Sequence, residues 1–339
     1  MTQRETSGMR RIIEDLIIRF FNKYSVVRLT YSLKTKETLQ LPYFSSYLVK
    51  NLIETMDVYR PLIEAQDSHM QGRVIFRAIK TSKGTPLYPV HSRNEGCTPY
   101  IKPNKSYSTE IIVISENLGF MDEIVANPYT SFKTPHGEVE FELLGMHIHA
   151  QPPTYTSNVD SGKVLRVDVQ TPLLLSSELT MPLRIRRVLH GTLRHFRLSV
   201  SPGLLAASIL GEIAEYVGVT GEETWRIQYL TSRYFDALIE EVYLKLMAET
   251  VTIEKNSAGD YKVARGVKGQ LAYKPVKETC GEAFVKLLWL ATLIGVGDGR
   301  EVGFGEISLT VEDTEKAGSS PLETRNAGLS AEKSERQAC

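Results

Sequence analysis

The sequence predicts an α+β protein, in which helices and antiparallel strands occur together in each half of the chain. Segments rich in β-branched and aromatic residues, such as Tyr107–Ser115 (YSTEIIVIS), are typical of strands. Segments with apolar residues three and four positions apart, such as Pro202–Val217, are typical of helices. Strands do not alternate regularly with helices, which argues against a doubly wound parallel sheet. A chain of 339 residues also favours two domains.

The first half predicts a helix, a strand, a second helix and then several strands. Gly8–Lys23 has the pattern of a short amphipathic helix, and Val26–Tyr31 (VVRLTY) that of a strand. Pro42 suits the start of a helix over Tyr43–Met56, because proline has no N–H to leave unpaired in the first turn. The further strands predicted in this half are Arg73–Ile79, Tyr107–Ser115 and Glu138–His149.

The second half begins with a predicted strand over Val164–Val169. From Asp313 onward the chain is polar and rich in Ser, Glu, Ala and Gly, which predicts a flexible tail. We therefore expect a first domain at residues 1–162, a second at 163–312 and a tail at 313–339. The helices predicted here are Leu183–Phe196, Pro202–Val217, Ser232–Ala248 and Gly281–Leu293, and the later strands are Val251–Lys255, Val267–Tyr273 and Glu306–Val311.

Composition excludes several classes of protein. Forty basic residues balance forty acidic ones, which argues against a protein that coats nucleic acid through bulk positive charge. No apolar run approaches the length of a membrane span, and the first thirty residues do not resemble a secretory signal. Cys97, Cys280 and Cys339 are too far apart to suggest a disulfide framework or a zinc motif. We expect a cytoplasmic protein without a cofactor.

The most informative stretch is residues 293–308, LIGVGDGREVGFGEIS, hereafter the glycine-rich segment. Ordering so many glycines costs conformational entropy, and one reason to accept that cost is close approach of the backbone to a phosphate. Successive amide N–H groups can form such an anion-binding concavity, and Arg300 adds a positive charge. No Gly-Lys-Ser/Thr follows, so this is not a Walker A loop. A Rossmann fingerprint requires a strand before and a helix after, and here the order is reversed.

A helix, a glycine-rich turn and a final strand resemble the C-terminal signature of the RAMP superfamily, and within it the family that cleaves CRISPR precursor RNA. Three other stretches are similar to that family: GVKGQLAY at 266–273, VQTPL at 169–173 and LQLPYFSSYLVKNLI at 39–53. The resemblance implies two tandem ferredoxin-like (RRM-like) domains with antiparallel sheets and RNA bound across them. We expect RNA contacts at Gly295, Gly297, Gly299, Gly303 and Gly305, and at the basic residues Arg300 and Lys268, which are expected to lie near the segment.

The resemblance implies a metal-independent endoribonuclease that makes mature guide RNAs from CRISPR repeat RNA. The RNA 2′-hydroxyl attacks the adjacent phosphodiester and leaves 2′,3′-cyclic phosphate and 5′-hydroxyl ends. An alternative is a non-catalytic RAMP subunit that binds guide RNA in a CRISPR effector complex. A third is an unrelated α+β protein whose glycines only make a tight turn. The implied partners are repeat RNA and effector-complex subunits, and the chain is a monomer or a homodimer.

This chemistry needs a base, an acid and positive charge near the phosphorane. In the family a histidine follows the first helix with a basic residue a few positions on, and the matching residues are His69 and Arg73. We assign His69 as acid or base and Arg73 as phosphate stabiliser, with an exposed loop histidine as the alternative for His69. Where many members place a helix tyrosine this chain has Glu54. The candidate substitutes are Tyr43, Tyr47 and Tyr59, of which Tyr47 is preferred.

His147 and His149 lie two positions apart on a predicted strand and therefore share a face. Two imidazoles on one face can contribute to a metal site. No Cys, Asp or Glu follows at ligand spacing, which favours a solvent-facing pair over a metal site.

A basic stripe is predicted on the helix after Glu178, in a window without Asp or Glu that extends to Glu212. Basic residues three or four positions apart lie on one helix face, and such a stripe suits an RNA phosphate backbone. Alternatives are a solvated face or a contact with an acidic protein. Ile185, Leu189, Leu193 and Phe196 are expected to pack on another side. The stripe comprises Arg184, Arg187, His190, Arg194 and Arg197.

Overall fold

A computed structural model of the chain describes residues 3–57, 59, 72–90, 98–134, 137–151, 159, 162–189, 196–255 and 261–313. The tail predicted to be flexible lies outside these residues from position 314 onward. None of the described helices combines the length and apolar character that a membrane crossing requires.

The first half forms an antiparallel sheet in the order β3–β6–β1–β8–β7, with β4 beside β6. A separate short ladder joins β2 to β5. The elements in chain order are α1 Gln3–Lys23, β1 Ser25–Thr35, β2 Leu39–Gln40, α2 Ser45–Glu54, β3 Gly72–Phe76, β4 Lys80–Thr81, β5 Tyr100–Ile101, β6 Tyr107–Ser115, α3 Met121–Ala126, β7 Tyr129–Thr134 and β8 Gly137–His149.

The second half forms a four-stranded antiparallel sheet in the order β10–β11–β9–β12. Two 3₁₀ turns, Ser177–Thr180 and Arg300–Val302, lie outside the regular elements. The elements are β9 Lys163–Leu173, α4 Leu183–Leu189, α5 Pro202–Tyr216, α6 Glu222–Leu238, β10 Ile239–Lys255, β11 Tyr261–Pro275, α7 Glu278–Ile294 and β12 Ile307–Asp313.

Each half has the strand and helix order of a ferredoxin-like fold. In the first, β1, α2, β3, β6, α3 and β8 follow in sequence, and the sheet places β1 and β6 centrally. In the second, β9 and β11 are central and β12 returns beside β9. The α+β class and the two tandem ferredoxin-like folds are therefore confirmed, while the domain boundaries at 162 and 312 stay a prediction.

Two predicted helices are wrong in extent. The helix predicted over Leu183–Phe196 is described over Leu183–Leu189, and it does not include Phe196, which pairs with Ser176 in an isolated β-bridge. The helix predicted over Ser232–Ala248 changes to strand at Ile239. Strand β10 lies at the edge of its sheet with side chains exposed on both faces, so the alternation that marks a half-buried strand is missing there.

The first sheet is covered on both faces. One face packs against α2 and α3, and Leu29 and Val113 belong to that core. The other face packs against α1 and the helices of the second half through Val26, Ile112 and Ile114. This second contact brings the C-terminus of α7 and the glycine-rich segment up to the end of β3.

Candidate nucleic-acid interface

The glycine-rich segment leaves α7 and turns back into β12 with all five glycines at positive φ. Gly295, Gly297, Gly299, Gly303 and Gly305 have φ values of 77°, 84°, 73°, 83° and 64°. This left-handed conformation is unfavourable for an L-residue because its Cβ approaches the following carbonyl. Glycine has no Cβ and adopts the conformation without that cost. The local backbone path therefore requires glycine at each of these positions.

The same glycines also allow close packing. A Cβ at Gly305 would lie 1.7 Å from Val296 O, and one at Gly303 would lie 2.6 Å from Phe76 O. These are distances that side chains never adopt, so the segment fits against its own chain and against the end of β3 only as glycine.

Most amides of the segment are bonded inside the molecule. Gly297 N donates to Ser208 Oγ at 3.1 Å, and Gly305 N donates to Pro172 O at 3.0 Å. Gly295 N and Gly303 N donate to Ala291 O and Arg300 O. Gly299 is half-buried, and its N–H has no acceptor among the described residues. Direct amide–phosphate contact stays a prediction, with Gly299 the glycine best placed for it.

Two arginines from distant parts of the chain meet at Glu212 of α5. Arg73 Nη1, from β3, donates to Glu212 Oε1 at 2.6 Å, and Arg300 Nη2 bonds the other carboxylate oxygen. The side chains of Arg300 and Glu212 are 14% and 9% exposed, whereas that of Arg73 is 43% exposed. These three residues, hereafter the Glu212 cluster, place an accessible cation beside the glycine-rich segment.

The electrostatics of the Glu212 cluster favour the charged form of Arg300. Burial lowers the pKa of Arg300, but the Glu212 carboxylate raises it by more, so the net shift is upward. Burial and then the Glu212 charge raise the pKa of the neighbouring Glu215 carboxyl. Arg73 also lies over the ring of Tyr216 at 5.2 Å, an arrangement that favours a cation.

Tyr47 of α2 also lies near the glycine-rich segment. It is half-buried and packs on a cluster that contains Phe44 and Phe304. Phe44 stacks on Phe304 at 4.5 Å, and Ser46 Oγ donates to Val302 O at 2.5 Å. The contacts of Phe44 and Ser46 therefore place the start of α2, including Tyr47, beside the segment.

The other tyrosine candidates differ in exposure. Tyr59 is 1% exposed, and its hydroxyl has no partner in the described part of the chain. Tyr43 is half-buried. Glu54, at the position where a tyrosine is usual, faces Lys50 at 3.6 Å. His69, the assigned acid or base, lies outside the described residues, as do Arg194 and His190.

Lys268 joins the same region through aromatic stacking. Its Nζ lies 5.3 Å from the centroid of the Tyr88 ring, and Tyr88 stacks on Phe44 at 4.9 Å. Because Phe44 stacks on Phe304, Lys268 connects with the glycine-rich segment through three rings. The contact of Lys268 with RNA stays a prediction.

The described residues include three members of the predicted basic stripe, two on α4 and one outside it. Arg184 and Arg187 are exposed on α4, and Arg187 forms an exposed ion pair with Glu222. Arg197 is exposed but follows the bridge at Phe196, so it is not on that helix.

The packing predicted for the apolar side of this stretch is wrong for Ile185 and confirmed for Phe196, which packs against the cluster of Phe44 and Phe304. Ile185, expected to pack, is exposed, and Val188 is 76% exposed. Arg186 is the buried residue: its Nη1 donates to Gln228 Oε1 at 2.7 Å, and its guanidinium lies 4.8 Å from the Trp225 ring centroid. Gln228 and Trp225 on α6 therefore hold this cation, although its Nε has no hydrogen-bond partner among the described residues, and spacing along α4 alone does not reveal these contacts.

Arg77 is a site residue that sequence reasoning missed. It follows β3 and is 1% exposed. Its Nη2 donates to Leu293 O at 2.8 Å, so it satisfies a carbonyl at the C-terminus of α7 just before the glycine-rich segment. A charged residue among apolar neighbours in VIFRAIK is the only local signal for it.

The histidine pair is only partly solvent-facing. His147 is exposed, while His149 is half-buried with its ring 5.5 Å from that of Trp289 on α7. Burial, then Arg28 and His147, lower the pKa of His149. Among the described residues, no group of three or more His, Cys, Asp or Glu side chains is arranged to hold a metal ion.

Comparison with known proteins gives consistent matches. The profile described as Cas6 N-terminal domain matches residues 27–149, and that described as CRISPR-associated endoribonuclease Cas6 matches residues 168–307. Two curated relatives, CRISPR-associated endoribonucleases Cas6 1 and Cas6 2 of Saccharolobus solfataricus, are 25% and 24% identical. These alignments cover 77% and 79% of this chain and 83% and 86% of the relatives.

Solved structures of the same family are also similar. Thermus thermophilus Cas6 aligns over 85% of this chain and 98% of its own at 12% identity and a TM-score of 0.48. A Cas6-related protein from Pyrococcus furiosus aligns over 85% and 98% at 13% identity and a TM-score of 0.45. The two profiles together span both ferredoxin-like halves, including β3 and the glycine-rich segment. The chain belongs to the Cas6 family of endoribonucleases, which process CRISPR precursor RNA.

Proposed function

We propose that this chain cuts CRISPR repeat RNA without a metal ion, at a site between α2, the start of β3 and the glycine-rich segment. The observation that carries the proposal is the Glu212 cluster. There Arg73 from the first half and Arg300 from the second meet on one carboxylate. Two cations held close together, one of them accessible, suit a group whose negative charge increases during reaction.

The reaction is an attack by the RNA 2′-oxygen on the adjacent phosphorus. The 2′-hydroxyl proton passes to a base as the P–O2′ bond forms, and the P–O5′ bond then breaks. The departing 5′-oxygen takes a proton from an acid, which leaves a 2′,3′-cyclic phosphate and a 5′-hydroxyl. His69 is proposed as acid or base and Tyr47 as its partner, because imidazole and phenol can transfer protons at hydrogen-bond distance.

Arg73 is proposed to stabilise the phosphorane. A phosphate oxygen that approaches the exposed side of its guanidinium gains a charge-assisted hydrogen bond, while Glu212 keeps the group in place. Arg300, more deeply buried, contributes its charge from behind. Arg184, Arg187 and Arg197 are proposed to contact the RNA backbone further from the cut.

The partners proposed are repeat RNA and other CRISPR proteins. Solved relatives include a Cas6 product complex and a Cas6-RT-Cas1–Cas2 complex. For this chain, RNA binding is supported by exposed arginines on α4 and near the glycine-rich segment.

The test is cleavage of synthetic repeat RNA by the purified chain in EDTA. We expect discrete cutting, products that resist phosphatase until acid opens the cyclic phosphate, and no cutting of RNA with a 2′-deoxy nucleotide at the cleaved position. His69→Ala and Arg73→Ala should each slow the reaction about 100-fold or more. Arg226→Ala, which removes an exposed arginine on α6, serves as the matched control.

Three outcomes would each overturn a different part of the proposal. Loss of activity in EDTA that added metal restores would overturn the metal-independent mechanism. Full activity in His69→Ala would overturn the assignment of His69. Tight binding without cutting would make the chain a guide-RNA-binding subunit.

A further inference from the structure

Three positively charged or titratable side chains meet where the first sheet faces the C-terminal end of α7. Arg28 lies on β1 between Val27 and Leu29, whose side chains face the core formed with α2 and α3. Successive strand residues face opposite sides, so Arg28 lies on the other face of the sheet, with Val26. His149 on β8 is the register partner of Val26. With Arg77 these residues form the arginine–histidine cluster: Arg28, Arg77 and His149.

Four buried nitrogen atoms of the arginine–histidine cluster have no hydrogen-bond partner among the described residues. They are Nε of Arg28, Nε and Nη1 of Arg77, and Nε2 of His149. A buried donor without an acceptor costs about 1–3 kcal/mol, so such a group calls for a partner such as water or an ion.

Like charges also lie close together here, and neither of the two nearby carboxylates is bonded to them. The Arg28 charge lowers the pKa of both His149 and Arg77, after burial as the main cause. The acids that face Arg77 are Glu110 and Glu306, yet neither carboxylate bonds it, and Glu306 is paired with Lys80. The cluster therefore has an excess of donors and of positive charge.

The carbonyl end of α7 would normally repel an anion, and Arg77 removes that obstacle. Its Nη2 bonds Leu293 O at 2.8 Å and lies 3.4 Å from Thr292 O. The last carbonyls of the helix therefore face a guanidinium instead of the space beside Arg28. Arg28 and His149 are half-buried, so an anion from solvent can reach the exposed parts of these side chains but not the buried Nε and Nε2 atoms. Arg77 is fully buried and supplies charge from the interior.

We infer that Arg28 and His149, supported by Arg77, bind a backbone phosphate of the RNA substrate. This site is on the face of the first sheet and is separate from the Glu212 cluster, and its assignment to RNA rests on the proposed function. A phosphodiester offers two non-bridging oxygens with several lone pairs, which match a guanidinium and an imidazole N–H. No carboxylate in the described part of the chain is bonded to Arg28.

The first measurement is the affinity for repeat RNA as a function of salt, for wild type, Arg28→Gln and His149→Gln. Loss of one charge-assisted contact should weaken binding by about tenfold or more in Arg28→Gln. The slope of log affinity against log salt should fall by about 0.7 for one lost contact to a single-stranded phosphate. Arg28→Lys keeps the charge and should recover part of the loss. Arg226→Gln, with an exposed arginine on α6, is the matched control.

The second measurement uses inorganic phosphate and does not depend on RNA. Phosphate should raise the melting temperature of wild type more than that of Arg28→Gln, because a ligand that binds only the folded state stabilises it. If wild type binds no RNA but responds to phosphate, the proposed function fails and the anion site remains. If phosphate binds but Arg28→Gln binds RNA as wild type does, the site takes an adventitious ion only and the RNA assignment is overturned. If neither measurement responds to Arg28→Gln, ordered water satisfies the donors and the inference is wrong.

Discussion

Replacing Glu212 by glutamine should destabilise the fold while strengthening RNA binding. The carboxylate is 9% exposed and holds Arg300, which is 14% exposed, and Arg73, which is 43% exposed. Glutamine keeps the shape but removes the charge, which leaves two arginines close together in a partly dry site. The two effects have opposite signs, and this makes the prediction specific.

The magnitude follows from the exposure of each pair. Removing one partner of a buried ion pair costs about 3–5 kcal/mol, and the Arg300–Glu212 pair belongs to this class. The Arg73–Glu212 pair is half-exposed and adds about 1 kcal/mol at most. Because glutamine still accepts a hydrogen bond, we expect the lower end, about 3 kcal/mol. At about 2.1 cal/mol/K of unfolding entropy per residue, that corresponds to a melting temperature lower by about 4 °C for a chain of 339 residues.

The assay is thermal and urea unfolding, with repeat-RNA affinity measured below the transition. Glu222→Gln is the matched control, because it breaks an equally short but exposed pair with Arg187 and should leave the melting temperature nearly unchanged. If Glu212→Gln and Glu222→Gln have the same melting temperature, the Glu212 cluster does not stabilise the junction of the two halves. If it binds RNA more weakly than wild type, Arg73 and Arg300 are not the cations that contact phosphate.

Two further predictions concern the backbone and pH. Gly303→Ala should destabilise by more than about 1 kcal/mol, because φ is 83° and its Cβ would lie 2.6 Å from Phe76 O. Gly145→Ala, with nothing within 4 Å, should be neutral, and equal urea midpoints for the two would contradict this account. The lowered pKa of His149 means that its neutral form stabilises the fold above the unfolded value of 6.5, and this contribution is lost as pH falls through the folded pKa. The drop in melting temperature from about pH 7 to 5 should therefore be smaller in His149→Gln, and equal drops would refute it. The raised pKa of Glu215 makes the fold more stable at lower pH, and this effect is the same in wild type and in His149→Gln.

The sequence predicted those elements whose signal is local. Tyr107–Ser115 was predicted with the bounds that β6 has, because β-branched residues fill a central strand buried on both faces. The end of β10, Val251–Lys255, was predicted as a strand, but its first part was predicted as helix because an edge strand exposed on both faces lacks a burial pattern. Arg197 was wrongly included in the basic stripe, because the spacing of basic residues does not show that Phe196, just before it, forms a β-bridge with Ser176.

The candidate site was predicted only in its parts. Arg73 and Arg300 were chosen for their charge, but Glu212, which joins them, is 139 and 88 residues away in sequence. Arg77 meets its carbonyl acceptor 216 residues further on. Contacts of this length leave no periodic trace, so sequence patterns identified the residue types while only the fold shows the pairs.

The glycine-rich segment has a role in the site even where its amides are bonded internally. Gly303 fits against the backbone of Phe76 and Arg77 at the end of β3, and Gly297 fits against Leu174 after β9. The segment thus contacts both ferredoxin-like halves through glycine. Arg73 is on the strand that ends at Phe76, and Arg300 lies in the turn that ends at Gly303. The fit at Gly303 therefore sets the separation of the two arginines on Glu212, so a larger residue there should disturb phosphate stabilisation as well as folding.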